Sequence, residues 1–216
     1  MAKKVEKKKN NSSQLVVIGT IIFFIVLAGI AIAVAKYHKP YQVADITGMD
    51  PHSTGLETAK LTMTEYADYD CIHCHDFAVA VLPDLVKKYG DKVRFVFRNF
   101  PLNGEQGDSF GLMLAAEAAG AQGKFAEYQD LIWKNYGSNT AIKLTAYAQQ
   151  LKLDVPKFTQ DINGKTYRSR ILQDQNDGIK LGVGGTPTFF LNATRYSGAN
   201  DITSLSNAID AALSKL

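Results

Sequence analysis

The stretch EYADYDCIHCHDFAVAVL, residues 65–82, contains Cys71, His73, Cys74 and His75, and three chemistries compete for them. C-x-x-C is a redox dithiol signature, while C-x-x-C-H is the attachment signature of a c-type haem. The two cysteines and two histidines also sketch a zinc site. What flanks the motif separates these readings. Upstream, KLTMTEYA (residues 60–67) alternates with period two and predicts a strand with Leu61, Met63, Glu65 and Ala67 on one face. Downstream, Phe77, Val81, Leu82, Leu85 and Tyr89 recur at helical spacing. Pro83 is expected to bend that helix. Gly90 is expected to end it, as a glycine just past the last turn does.

Cys71 therefore stands where a helix begins, facing unpaired backbone N–H groups and the positive end of the helix dipole. A thiolate is stabilised there, which marks Cys71 as the expected nucleophile. Cys74, one turn further in and less exposed, suits the resolving partner. His73, when protonated, adds positive charge near the Cys71 sulfur, and His75 reads as a surface residue of the first turn. Haem would need a distal ligand, yet Met49, Met63 and Met113 sit in no recognisable ligand context. Zinc fares no better, because the other histidines, His38 and His52, lie in a membrane-proximal linker. The dithiol reading is the one that fits, with no cofactor and no metal expected.

The remaining pattern is α/β. KVRFVFRNF (92–100) predicts a second strand, followed by helical segments at 108–120, 124–136 and 140–151. Asp154 and Pro156 open another helix. Asn163-Gly164 breaks it before a segment at 165–181. TPTFFLN (186–192) and TRYSGA (194–199) predict strands, and 202–215 a last helix. The order implies a sheet with a helical insertion over about residues 105–181. Glu65 lies on an otherwise apolar strand face, where an edge position would leave its carboxylate in water.

Charge is unevenly placed. Residues 1–39 carry seven lysines and one glutamate, whereas residues 40–216 carry seventeen Lys/Arg against twenty Asp/Glu, a net of −3. Nothing there forms a nucleic-acid footprint. Residues 1–14 read as a basic cytoplasmic tail, and 15–35 lack any charge. At about 1.5 Å per residue that run crosses the roughly 30 Å hydrocarbon core of a bilayer. The lysine excess before it keeps the amino end cytoplasmic. A cleaved signal peptide is the rival, with Ala33-x-Ala35 as cleavage site, but the run exceeds the roughly 7–15 apolar residues of a signal. The expectation is a single-pass signal-anchor in the cell membrane, a linker at 36–59, and an extracytoplasmic domain at 60–216. Both cysteines of the chain lie in the motif, so neither is spare for a structural staple.

At these residues the chain resembles the DsbA-like thiol–disulfide oxidoreductases of the thioredoxin superfamily, over roughly residues 55–215. C-I-H-C opens a helix after the first core strand, and Glu65 stands six positions before Cys71, where the family carries a buried acid. GVGGTPTFFLN (182–192) is similar to the family's cis-proline loop and following strand, and the helical insertion falls between the second and third core strands. The resemblance implies a thioredoxin-like fold with catalytic Cys71, Cys74, His73 and Glu65. It also implies a cis bond at Pro187 that turns the Thr186 backbone toward a substrate chain. Exported unfolded proteins with free cysteines are the implied substrates, and a DsbB- or VKOR-like membrane partner the implied reoxidant. Strong oxidants of the family carry proline where this chain has Ile72, so a reductase or isomerase stays open as an alternative.

Overall fold

The structure is a computed structural model that describes residues 52–216, together with Val17, Ile18, Thr20 and Val26. The expected tail and span therefore lie almost wholly outside the described residues. Among the described residues no helix is long and apolar enough to cross a membrane.

Five strands form one sheet: β1 (Ser53–Gly55), β2 (Leu61–Ala67), β3 (Val93–Asn99), β4 (Thr188–Leu191) and β5 (Thr194–Arg195). Their order is β1-β3-β2-β4-β5, with β2 and β3 parallel and the other pairs antiparallel. β1 falls inside the stretch expected as linker. Ser53 pairs with Val96 and Gly55 with Arg94, so the folded domain already includes these residues. The second predicted strand after Pro187 shrinks to Thr194–Arg195, because Tyr196 turns its hydroxyl back onto the Ala199 carbonyl at 2.6 Å.

β2 is central and buried along its whole length, which removes the edge reading of Glu65. Leu61 and Met63 on one of its faces join Phe95, Phe189 and Leu191 in a core closed by Phe77, Leu85, Leu205 and Ile209. These last come from α1 (Ile72–Ala80), α2 (Leu82–Tyr89) and α8 (Ile202–Leu213). The single bent helix expected over the motif is two helices, divided at Val81. Pro83 takes the first turn of α2, where its missing N–H costs nothing. Gly90 caps α2 in right-handed geometry, not the left-handed one expected. Its glycine is required by space: a Cβ there would sit 2.6 Å from the Val86 carbonyl oxygen.

The insertion comprises α3 (Asp108–Gly120), α4 (Phe125–Lys134), α5 (Ala141–Gln150), α6 (Val155–Asn163) and α7 (Arg168–Lys180). Helix α3 is buried nearly all round, from Ser109 to Ala119, and forms the insertion's own core. Helix α7 lies against the other face of the sheet. At Gly178 a Cβ would come within 2.9 Å of both Phe100 and Tyr66, so only glycine permits that approach. A buried ionic network ties insertion to sheet. Arg98 and Asn99 at the end of β3 reach Asp174 on α7, at 2.9 and 3.3 Å, and Asn99 reaches Glu117 on α3 at 2.8 Å. Glu117 also holds Arg170 at 3.1 Å and His52 at 3.2 Å.

Candidate active site

Strand β2 delivers the motif through a tight turn. The Asp68 carboxylate accepts from the Asp70 N–H at 2.8 Å, an Asx turn, and from the Leu102 N–H at 2.6 Å. The Asp68 carbonyl then accepts from the Cys71 N–H at 3.1 Å. Asp70 in turn accepts from the Ser109 N–H at 2.9 Å, at the first turn of α3. Two aspartates thus fasten the approach to Cys71 onto the loop after β3 and onto the insertion.

Cys71 has extended backbone geometry at the N-cap of α1, and its carbonyl receives the N–H groups of Cys74 and His75. Its side chain is half-buried and Cys74 is fully buried. Both are free thiols in this structure. Cys71 Sγ donates to the Thr186 carbonyl oxygen at 3.3 Å. The Thr186–Pro187 peptide is cis. Two segments 115 residues apart in sequence therefore meet at one sulfur.

Beneath the motif, Glu65 is 8% exposed and its Oε1 has no hydrogen-bond partner. Burial, reinforced by the charge on Cys71, pushes its carboxyl up to about 8. The Cys74 thiol is pushed up strongly, by burial first and by Glu65 second. Glu65 thus acts on the Cys74 thiol through its charge, and at neutral pH its own carboxyl holds its proton.

His73 is exposed in the first turn of α1. His75 is not a free surface residue: its ring lies 4.7 Å from that of Tyr136, and its Nδ1 is 3.1 Å from Asp76 Oδ1. Tyr136 donates to the Asp70 carbonyl at 2.8 Å. A haem bonded to both cysteines would have to reach Cys74, whose side chain no solvent touches. The described residues bring together no group of three or more metal-ligating side chains.

Sequence reasoning missed Asp68, Asp70 and Tyr136. The D-x-D spacing ahead of a helix carried a signal for the first two, because Asp two residues before a turn N–H is the Asx-turn pattern. Tyr136 carried none, since its partner stands 66 residues away.

A family model described as Thioredoxin matches residues 47–211. The chain belongs to that family. It has the thioredoxin-like fold with a helical insertion that the resemblance implied, the fold its DsbA-like structural neighbours share. A thioredoxin-like oxidoreductase from Silicibacter pomeroyi DSS-3 is 28% identical and superposes with a TM-score of 0.66, covering 76% of this chain and 93% of that one. The alpha-DsbA1 of Wolbachia pipientis is 26% identical at a TM-score of 0.65, covering 76% and 91%. Oxidised BdbD from Bacillus subtilis, at 21% identity and a TM-score of 0.69 over 76% and 92%, shows the same fold. Among curated sequences, the Na(+)/H(+) antiporter NhaA 1 of Salinispora arenicola is 34% identical over 161 residues. That match takes in 74% of this chain and only 24% of the antiporter. This thioredoxin-family chain spans about a quarter of the length of such relatives, and their name describes proteins of which it matches a minor part.

Proposed function

We propose that this chain is a dithiol oxidase that introduces disulfides into exported proteins through Cys71 and Cys74. The observation that carries it is a half-buried Cys71 whose sulfur meets the Thr186 carbonyl, followed one turn on by a buried Cys74 that feels the charge of the buried Glu65. In the oxidised enzyme a substrate thiolate attacks Cys71 Sγ, the Cys71–Cys74 bond breaks, and Cys74 leaves as thiolate. Glu65, neutral at pH 7, gives that thiolate its proton. The substrate's second thiolate attacks its own sulfur in the mixed disulfide, and Cys71 leaves. Two electrons have then moved from the substrate to the enzyme dithiol. A quinone-linked membrane partner, DsbB- or VKOR-like, takes them back, with Glu65 receiving the Cys74 proton. Thr186 offers its remaining backbone groups to an extended substrate segment.

Residues 15–35 anchor the domain in the cell membrane, with the amino end cytoplasmic and the domain outside. The reductase or isomerase reading rests on Ile72, which is 47% exposed between the cysteines and keeps the backbone N–H that proline would delete. Equilibration against a glutathione buffer decides between them. The span from thioredoxin, about −270 mV, to DsbA, about −120 mV, is roughly 7 kcal/mol of relative dithiol stability. A helix terminus contributes about 2 kcal/mol at most, so His73 and local hydrogen bonds carry much of the difference. The expected potential lies on the oxidising side of glutathione and below the strongest oxidants, and His73→Ala lowers it. A wild-type value near that of thioredoxin would make the chain a reductase.

A further inference from the structure

A groove of about 600 Å³ opens in the insertion beside the motif turn. That size falls within the range of about 300–1,000 Å³ typical of ligand sites. Its inner wall is apolar, from Leu112 on α3, Leu144 on α5 and Ile162 on α6. Asp70 and Asp108, both exposed, stand at its opening, and no lysine or arginine lines it. The groove lies against the active site. Asp70 immediately precedes Cys71, and Tyr136, whose hydroxyl holds the Asp70 carbonyl at 2.8 Å, is followed by the lining residue Gly137.

The Asp70 carboxylate takes the Ser109 N–H at 2.9 Å, which fixes it beside Asp108 at the first turn of α3. Burial lifts the Asp70 carboxyl, the Ser109 N–H opposes this, and the charges of Asp68 and Asp108 lift it further. The helix start partly offsets the repulsion and lets both acids stand at the opening. Gly111, about a turn further along α3, also lines the groove. A glycine inside a helix costs stability. Here nothing lies within 4 Å of where a Cβ would stand, and the backbone is not left-handed. Neither crowding nor conformation requires that glycine. What it leaves is open space on the groove wall.

We infer that this groove receives the part of a client chain next to its target cysteine, and that it selects clients with a lysine or arginine there. Reach and charge both support that occupant. Consecutive Cα atoms stand about 3.8 Å apart, so a client joined to Cys71 passes Asp70 within a few residues of its own cysteine. A lysine or arginine stem can lie along Leu112, Leu144 and Ile162 while its cation meets Asp70 and Asp108. A carboxylate in the same place would be repelled.

This inference rests on the dithiol-exchange reading above and names the clients of that site. The oxidised full chain is mixed with short cysteine peptides that differ only in Lys, Gln or Glu at one position, scanned along both sides of the cysteine. The readout is the ratio of lysine to glutamate rates, in which any change in the enzyme thiols cancels. Wild type should favour lysine by about tenfold at one spacing on one side of the cysteine, as a cleft of opposite charge does. Salt at about 1 M should bring the ratio close to one. Asp108→Asn should cut the ratio to about a third, since one of two charges is gone. Gly111→Arg puts a cation into the groove and should erase the preference. Equal rates for all peptides overturn the selection while leaving exchange intact. A lysine gain at every position, untouched by both variants, also overturns it, because the field of the whole domain would then be its source. Variants that keep the ratio but slow reoxidation in membranes would assign the groove to the reoxidising partner and overturn the client reading. Wild-type chain that exchanges with neither the peptides nor a small dithiol overturns the exchange reading itself, and the selection with it.

Discussion

Cys71 Sγ donates to the carbonyl oxygen of Thr186 across 3.3 Å, so the sulfur proposed to form the mixed disulfide and the loop that would align the substrate form one contact. Cys74, one turn further along α1, is fully buried. The two thiols are thus unequal before any reaction starts.

That inequality sets the outcome of single substitutions. Cys71→Ser abolishes exchange. Cys74→Ser leaves the attacking sulfur in place and removes the one that resolves, so mixed disulfides with client proteins accumulate. Non-reducing gels of membrane fractions should show ladders that vanish on reduction. Ladders from Cys71→Ser instead would reverse the assignment.

Glu65 makes stability depend on pH. Its folded carboxyl is raised from 4.5 to about 8, so the neutral form is the one the fold prefers. Its contribution is fully present below about pH 4.5 and is lost as pH rises through about 8, a change of about 5 kcal/mol across the window. Glu65→Gln keeps the shape without the charge. Urea unfolding of the reduced proteins should give similar values near about pH 4 and a variant more stable by several kcal/mol near about pH 9. Parallel curves across that range would mean the acid is solvated.

Asp68 fixes the turn that presents Cys71. Asp68→Ala strips the Asp70 and Leu102 N–H groups of their acceptor, at a cost of about 2–5 kcal/mol. Asp68→Asn retains one acceptor oxygen and should lose about half as much. Denaturant midpoints measure this. A loss below about 0.5 kcal/mol in the alanine variant would show that the turn holds without its carboxylate.

Topology is testable in cells. Protease added to intact spheroplasts should digest the domain and spare a small amino-terminal fragment containing residues 15–35. A protected full-length chain would reverse the orientation. A soluble form beginning at Lys36 would identify the apolar run as a cleaved signal.

Much of this molecule was legible locally. Period-two alternation around Glu65 and helical spacing after Cys74 located β2 and α1, and the insertion helices emerged within a few residues of their predicted ends. What escaped depends on distance in sequence. The strand Ser53–Gly55 is too short to show a period and exists only because β3 lies beside it. Gly90 seemed to need left-handed freedom, whereas the Val86 carbonyl demanded space, and only the folded chain reveals which. The same holds for Tyr136 and Asp70. Each contact joins segments that no local pattern relates.

The strands at the two margins of the sheet, Ser53–Gly55 and Thr194–Arg195, span three and two residues. A protein that handles unfolded chains meets sticky, strand-forming segments continually. Long open margins would template their pairing and seed aggregates. Such short margins leave a visiting segment no more than a residue or two to zip onto. On the proposed function, a client would then bind in extended form at the Thr186 backbone, beside the reactive sulfur. Brief borders would direct clients to that chemistry and let them go afterwards.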